Sequence, residues 1–324
     1  MRVLIVKLSS LGDVVHAMPV VHDIRQAYPG ALIDWVVEPT FAPLVRGVDG
    51  VNEVIECALR RWRHAWWRGA VRDEWRDFRA KLQSVPYDAV LDLQGLTKSA
   101  VVARLANGRS HGLANRTEGS SFESPARWLV DNAIRIQPRI HALDRSRELA
   151  ASALGYQIKG PPHFGLRRTA PPLSGPPTVV FAHGSSRADK LWPETSWVEL
   201  GTRLSRQGWR IALPHAGDIE RDRSQRIAVA LGVSGDVWPE MPLGALMGRM
   251  YQTQGVIGVD SGLSHIAVAL GLPHVQIYNF PTAWRTGPQL AHGHRHQVSV
   301  EARPTPSCDA VWDGWTGALR SGAA

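Results

Sequence analysis

The feature that most constrains the fold is a stretch dense in proline and glycine, residues 169–177, with the same alternation of elements on either side. Proline lacks the N–H that helices and sheet ladders need, and four prolines with a glycine in nine residues sustain neither element. Before this stretch, residues 3–6, 32–37, 54–55 and 89–93 read as strands, and 14–27, 98–105 and 141–154 as helices. After it, strands are expected at 178–182, 210–213, 255–259 and 274–278, and helices at 193–207, 220–231, 243–252 and 261–270. Such alternation makes βαβ units with right-handed crossovers, hence a parallel sheet with ligand sites at the carboxyl ends of its strands. The expectation is an α/β chain of two halves, residues 1–168 and 178–308, joined by a linker at 169–177, with a cleft between them. A last helix in 309–324 is a candidate to pack back on the first half.

At 324 residues each half can bury its own core. Hydrophobic residues make up 44% and charged residues 20%, as in soluble globular proteins. Cys57 and Cys308 cannot build a disulfide framework, which points to a reducing compartment. Met1 to Lys7 has too short an apolar run for a signal peptide, and no run reaches the roughly 20 apolar residues of a membrane span. A cytoplasmic protein is expected. The net charge of +8 implies a polyanionic partner: nucleic acid, an anionic membrane surface or a phosphorylated substrate. Nucleic acid is the weakest of these, because no zinc spacing or RNA-binding aromatic motif is present.

Four segments carry candidate chemistry. The apolar run 255–259 ends in Asp260-Ser261-Gly262 and a helical pattern follows; a helix start of this kind is a ready anion site. The first strand runs into Ser10, Gly12 and Asp13 at another helix start, where Asp13 is either an N-cap or a general base. The loop from His183 to Pro193 holds Ser185, Ser186 and Lys190, which suit phosphate oxygens, although a plain solvated loop has the same composition. It lacks the spacing of a Walker A loop. Arg60, Arg61, Arg63 and His64 are interleaved with Trp62, Trp66 and Trp67. Clustered arginines grip phosphate or carboxylate, and Trp with Arg suits a membrane interface. The alternative there is an amphipathic surface helix with Trp62, Trp66 and Trp75 packed inward. No acidic pair is spaced to hold a metal ion, since Asp88 and Asp92 lie wrongly spaced on a strand, so no metal or other cofactor is expected.

Three motifs, in order along the chain, resemble those of the ADP-heptose lipopolysaccharide heptosyltransferases of glycosyltransferase family 9. They are Val-Lys-Leu-Ser-Ser-Leu-Gly-Asp-Val-Val-His-Ala-Met-Pro from Val6, Asp189-Lys190-Leu191-Trp192-Pro193, and Val259-Asp260-Ser261-Gly262-Leu263-Ser264-His265. The segments from Leu59 to Arg63 and from Asp92 to Ser99 look most like the heptosyltransferase I group. The resemblance implies a GT-B fold: a Rossmann-like acceptor domain over 1–168 and a Rossmann-like ADP-heptose domain over 178–308. It implies an inverting, metal-independent transfer of L-glycero-D-manno-heptose from ADP-heptose to the first Kdo of Kdo-lipid A, an anionic glycolipid. The protein would then sit peripherally on the cytoplasmic face of the inner membrane.

By the same resemblance Asp13 is the catalytic base. The donor site takes the diphosphate at Ser185, Ser186, Lys190, Ser261 and Gly262, the ribose at Glu220 and the adenine near Met241. His265 belongs to the donor pocket. Asp260 is expected on sugar hydroxyls or backbone, because a carboxylate repels a diphosphate. Ser10, Gly12, Arg60, Arg61, Arg63, His64, Lys98 and Arg116 are expected around the acceptor. The family commonly has threonine at positions 185, 186 and 261 and lysine at 64, so here a methyl is lost at three places and one charge is weakened. Two rival readings are a different acceptor, as in heptosyltransferase II, and a non-catalytic basic module on a membrane surface.

Overall fold

A computed structural model of the chain describes residues 1–166 and 175–322; the expected linker lies outside the described residues except for 175–177. The chain forms two compact units, Met1–Arg167 and Arg168–Ala324. The first contains β1 (Arg2–Val6), β2 (Leu32–Val37), β3 (Val51–Glu56), β4 (Tyr87–Asp92), β5 (Gly108–Leu113) and β6 (Asn132–Ile134). The second contains β7 (Thr178–Ala182), β8 (Arg210–Leu213), β9 (Gly235–Val237), β10 (Gly255–Val259), β11 (His274–Tyr278) and β12 (Gln297–Glu301). The sheet orders are β3-β2-β1-β4-β5-β6 and β12-β11-β10-β7-β8-β9, with each neighbouring pair of these strands parallel. Both follow one plan, and its order reverses beside the first strand: between β1 and β4, and between β7 and β10. That switch point is where open α/β sheets bind ligands.

The central strands are mostly apolar and buried because helices cover both sheet faces. β7, β10 and β11 are buried at every residue. Four strands escape sequence reading. β5 is polar and bounded by glycine; at Gly108 a Cβ would lie 2.4 Å from the Tyr87 carbonyl oxygen, so only glycine lets the two strands approach. β6 and β9 are three residues long, and β12 is a half-buried edge. The expected helix over 14–27 is two helices, Leu11–Ala17 and Pro19–Ala27. Pro19 has no N–H for the preceding turn and takes the first position of a new helix.

Trp192, Trp197 and Trp315 are fully buried in the second core. Trp315 comes from the helix Cys308–Gly322, which contributes Val311 and Trp312 to that same core and packs on β11 and β12. No helix among the described residues is long and apolar enough to cross a membrane.

The second core also encloses histidines. His183 and His274 have no exposed surface, His294 has little, and burial pushes each down to about 4. Neighbouring Arg223 adds to the effect on His183, His265 on His274, and His292 on His294. These side chains stay neutral in the folded state down to about pH 4, whereas in the unfolded chain they take up protons near pH 6.5. Folding stability is therefore lost as pH falls from about 6.5 to about 4, by roughly 2 kcal/mol per histidine at pH 5. Thermal unfolding of the full chain at pH 7 and pH 5 checks this: the midpoint falls markedly at pH 5, and equal midpoints would contradict it.

Candidate active site

At the switch point of the first unit, Lys7 follows β1 directly. Its side chain is 1% exposed; Nζ donates to the Leu93 carbonyl oxygen at 2.9 Å and lies 3.7 Å from Asp13 Oδ1. The adjoining loop is braced by the residues after β4. Leu8 N and Ser9 N donate to Gln94 Oε1 at 2.8 and 3.4 Å, and Gln94 N and Gly95 N donate to Asp92 Oδ1 at 3.0 and 3.3 Å. Burial pushes the Asp92 carboxyl up to about 6.

Asp13 is not the helix cap. Ser10 holds that position, and Asp13, in the first turn, reaches back so that Oδ2 accepts from Ser10 N at 3.3 Å and Ser10 Oγ at 2.9 Å. Arg145, from the helix Ala142–Leu154, places Nη2 3.7 Å from Asp13 Oδ1 and donates through Nη1 to Thr117 Oγ1 at 3.1 Å. The Asp13 side chain keeps 41% of its surface open. Burial would raise its pKa, but Lys7, Arg145 and the Ser10 bonds outweigh that and hold it below the usual carboxylate range. The result is an ionised carboxylate, reachable from solvent, at the end of the central strand.

Some expected acceptor residues gather nearby. Arg60 Nε lies 4.0 Å from Oε1 of buried Glu38, and both Arg60 and Lys98 favour its ionised form against a burial that raises it. Glu38 follows β2, and its N–H donates to the Leu8 carbonyl beside Lys7. Arg61 does not join them: both guanidinium amino groups grip Glu74, to which Trp62 Nε1 also donates. Arg63, His64 and Arg116 are exposed. Of the tryptophans, Trp62 is buried and Trp75 stacks edge-on against it, with centroids 5.6 Å apart. Trp66 is 52% and Trp67 71% exposed, so the inward packing considered for Trp66 does not occur.

In the second unit the loops after β7 and β10 meet. Asp260 directly follows β10 and is buried; Oδ2 lies 2.6 Å from Lys190 Nζ, and Oδ1 lies 3.4 Å from His265 Nε2. Burial opposes its charge, yet His265 and Lys190 hold the carboxyl well below the usual range. Its side-chain partners are thus Lys190 and His265 rather than backbone. Ser185 Oγ donates to the Asp260 carbonyl at 3.3 Å. Asn279 Nδ2 donates to the carbonyls of Asp189 and Leu191, which fastens the loop carrying Lys190. Ser261 caps the helix Gly262–Ala269, and its Oγ is buried with no hydrogen-bond partner among the described residues. An orphaned hydroxyl at a helix N-terminus is chemically suited to an anion.

Glu220 Oε2 accepts from Ala216 N at 2.9 Å, and the carboxyl lies over Gly184, where a Cβ would come within 2.2 Å of Oε1. The missing side chain at Gly184 leaves room for the Glu220 carboxyl over this loop. Ser186 is exposed on the same loop. Met241 is half-buried in the loop between β9 and the helix Leu243–Tyr251. Sequence reading missed Lys7, Gln94, Arg145 and Glu38. Lys7 and Gln94 lay inside the segments that carried the family resemblance without being singled out there; Arg145 and Glu38 had no such signal.

Residues 75–309 match the model of glycosyltransferase family 9 (heptosyltransferase). The chain belongs to that family. It is similar to lipopolysaccharide heptosyltransferase 1 of Escherichia coli K12, with 41% identity over 312 residues and 94% of each chain covered. Lipopolysaccharide heptosyltransferase 2 of the same strain is 24% identical over 329 residues, covering 91% of this chain and 87% of the relative. A solved structure of E. coli heptosyltransferase WaaC with ADP-2-deoxy-2-fluoro heptose superposes with a TM-score of 0.83 at 36% identity, covering 97% of this chain and 98% of the other. This family 9 glycosyltransferase has the GT-B type of architecture, two parallel six-stranded sheets with helices.

Proposed function

We propose that this enzyme transfers L-glycero-D-manno-heptose from ADP-heptose to the first Kdo of Kdo-lipid A, with inversion at the anomeric carbon. The observation that carries the reading is Asp13, an ionised and accessible carboxylate held at the switch point by Ser10, Lys7 and Arg145. Asp13 takes the proton of the acceptor hydroxyl as its oxygen bonds to the anomeric carbon. The bond from that carbon to the phosphate oxygen breaks, and ADP leaves with the electron pair. One displacement at one carbon inverts it. The depressed pKa costs basicity but keeps the base ionised at neutral pH.

The donor reading is supported by the relative solved with a fluorinated ADP-heptose. Ser185, Ser186, Lys190, Ser261 and Gly262 would take the diphosphate, with Asp260 and His265 orienting Lys190. Glu220 would take the ribose and Met241 the adenine. Ser10, Gly12, Arg60, Arg63, His64, Lys98 and Arg116 would receive the acceptor, and Arg61 would first have to leave Glu74. Identity of 41% to heptosyltransferase 1 against 24% to heptosyltransferase 2 favours the first Kdo over a heptosylated acceptor.

Helix N-terminus and ammonium can together meet the leaving charge without a metal ion. Turnover on Kdo-lipid A and on a heptosylated acceptor, before and after exhaustive chelation, tests these points. Faster turnover on Kdo-lipid A, unaffected by chelation, is expected. Preference for the heptosylated acceptor, or a chelated enzyme revived only by divalent cation, would contradict them.

We also infer peripheral contact with the cytoplasmic face of the inner membrane through exposed Trp66 and Trp67. Five arginines and no acidic residue lie between Ala58 and Arg72. Amphipathic indoles beside arginines match an anionic interface. The full chain is expected to sediment with anionic vesicles and not with neutral ones, and a W66S/W67S variant to lose this; equal sedimentation of both proteins would contradict it.

A further inference from the structure

Lys7 stands out as a charge the fold keeps at a cost. A buried ammonium gives up its hydration, and an apolar side chain of similar length would pack there without that penalty. We infer that Lys7 is a positioning residue for Asp13, fixing where the carboxylate points and the pH range in which it is ionised. The inference rests on Asp13 being the base. Asp13 Oδ2 is occupied by two bonds from Ser10, whereas Oδ1 lies 3.7 Å from both Lys7 Nζ and Arg145 Nη2, beyond hydrogen-bond distance of either. Oδ1 is therefore the oxygen left to receive a proton, bracketed by two cations that keep the carboxylate from turning.

Lys7 is itself fixed from several sides. Nζ donates to Leu93 O, its backbone N–H donates to Val36 O, and its carbonyl accepts from Trp35 Nε1 at 3.3 Å. Among the described residues, the charged groups facing this cluster are Asp92 from β4, Arg145 from the helix Ala142–Leu154, and Asp13 from the helix Leu11–Ala17, whose His16 lies further along. His16 packs edge-on against His141. Removing the Lys7 charge has two opposed effects on turnover. Asp13 becomes a stronger base, worth at most about tenfold per pKa unit. It also loses its alignment, and misplacement of a reacting group by about 1 Å costs about 10²-fold, so misalignment dominates.

The test compares Lys7→Met, Lys7→Gln and Asp13→Asn in the full chain, with ADP binding measured alongside as a check that the second unit is intact. Lys7→Gln keeps a donor for Leu93 O while removing the charge, so it decides the matter should Lys7→Met fail to fold. With both substrates, the unmodified enzyme is expected to change kcat less than about twofold between pH 7 and pH 6, because the Lys7 ammonium, which burial pushes down to about 8, stays charged there and the base stays ionised. The Lys7 variants are expected to lose about tenfold in kcat at pH 7, with the acid-side fall of kcat moved to higher pH than in the unmodified enzyme and KM for ADP-heptose within about twofold of it. Variants with unchanged kcat overturn the inference, as does a loss of kcat with no new pH dependence, which is the mark of a structural role only. An inactive Asp13→Asn alongside unaffected Lys7 variants leaves the base assignment standing; an active Asp13→Asn removes that assignment itself.

Discussion

Asp13→Asn is expected to lower turnover by about 10²–10⁴-fold, the usual worth of a general base, while leaving ADP-heptose affinity unchanged. Asparagine has nearly the same shape, and its amide oxygen can still accept from Ser10. What it cannot do is take a proton. Some stability should also be lost, because buried Lys7 and Arg145 lose a counter-charge, although the 41% exposure of Asp13 screens its pairs in part. Single-turnover kinetics with saturating donor, paired with calorimetric donor titration, separates chemistry from binding. Turnover within a few-fold of the unmodified enzyme would leave Asp13 as no more than a first-turn anchor for Ser10.

Lys190→Met is expected to damage both the donor site and the second unit. The Lys190–Asp260 pair is short and mostly buried, and removing one partner of such a pair costs about 3–5 kcal/mol because the other charge is stranded. Lys190 retains some exposure, which places the effect at the lower end of that range. A charged hydrogen bond to phosphate is worth about 1.5–3 kcal/mol, so ADP affinity should fall by a further 10–100-fold. The Lys190→Met/Asp260→Asn double variant separates the two effects. It should recover much of the stability, since no unpaired charge remains, and recover none of the ADP affinity. If the double variant is as unstable as the single, the pair is not what holds this loop.

The sheets were legible because their central strands are predominantly apolar runs bounded by polar turns; β1, β2, β7, β8, β10 and β11 could be placed almost to the residue. The edge strands were not, for β5 depends on a glycine fitting against Tyr87, and β9 on three residues with no periodicity. The donor loops were visible as a polar turn or loop between a strand and a helix. That Asp260 would take Lys190 and His265 as partners was not, because such a pairing depends on two loops seventy residues apart converging at the β7–β10 switch point. Arg145 was hidden for the same reason: it lies far along the chain from Asp13 and reads as one more charge on an amphipathic helix. Arg61 read as one member of a basic cluster, and its capture by Glu74 needs two helices to fold against each other.

The central claim is a single displacement on a Kdo hydroxyl by a base-assisted mechanism. Its most direct test is incubation with ADP-heptose and Kdo-lipid A, followed by determination of the linkage position and anomeric configuration of the product by NMR. The account predicts one heptose on the first Kdo, with configuration opposite to that of the donor. Retained configuration, or heptose on any other residue, would contradict it.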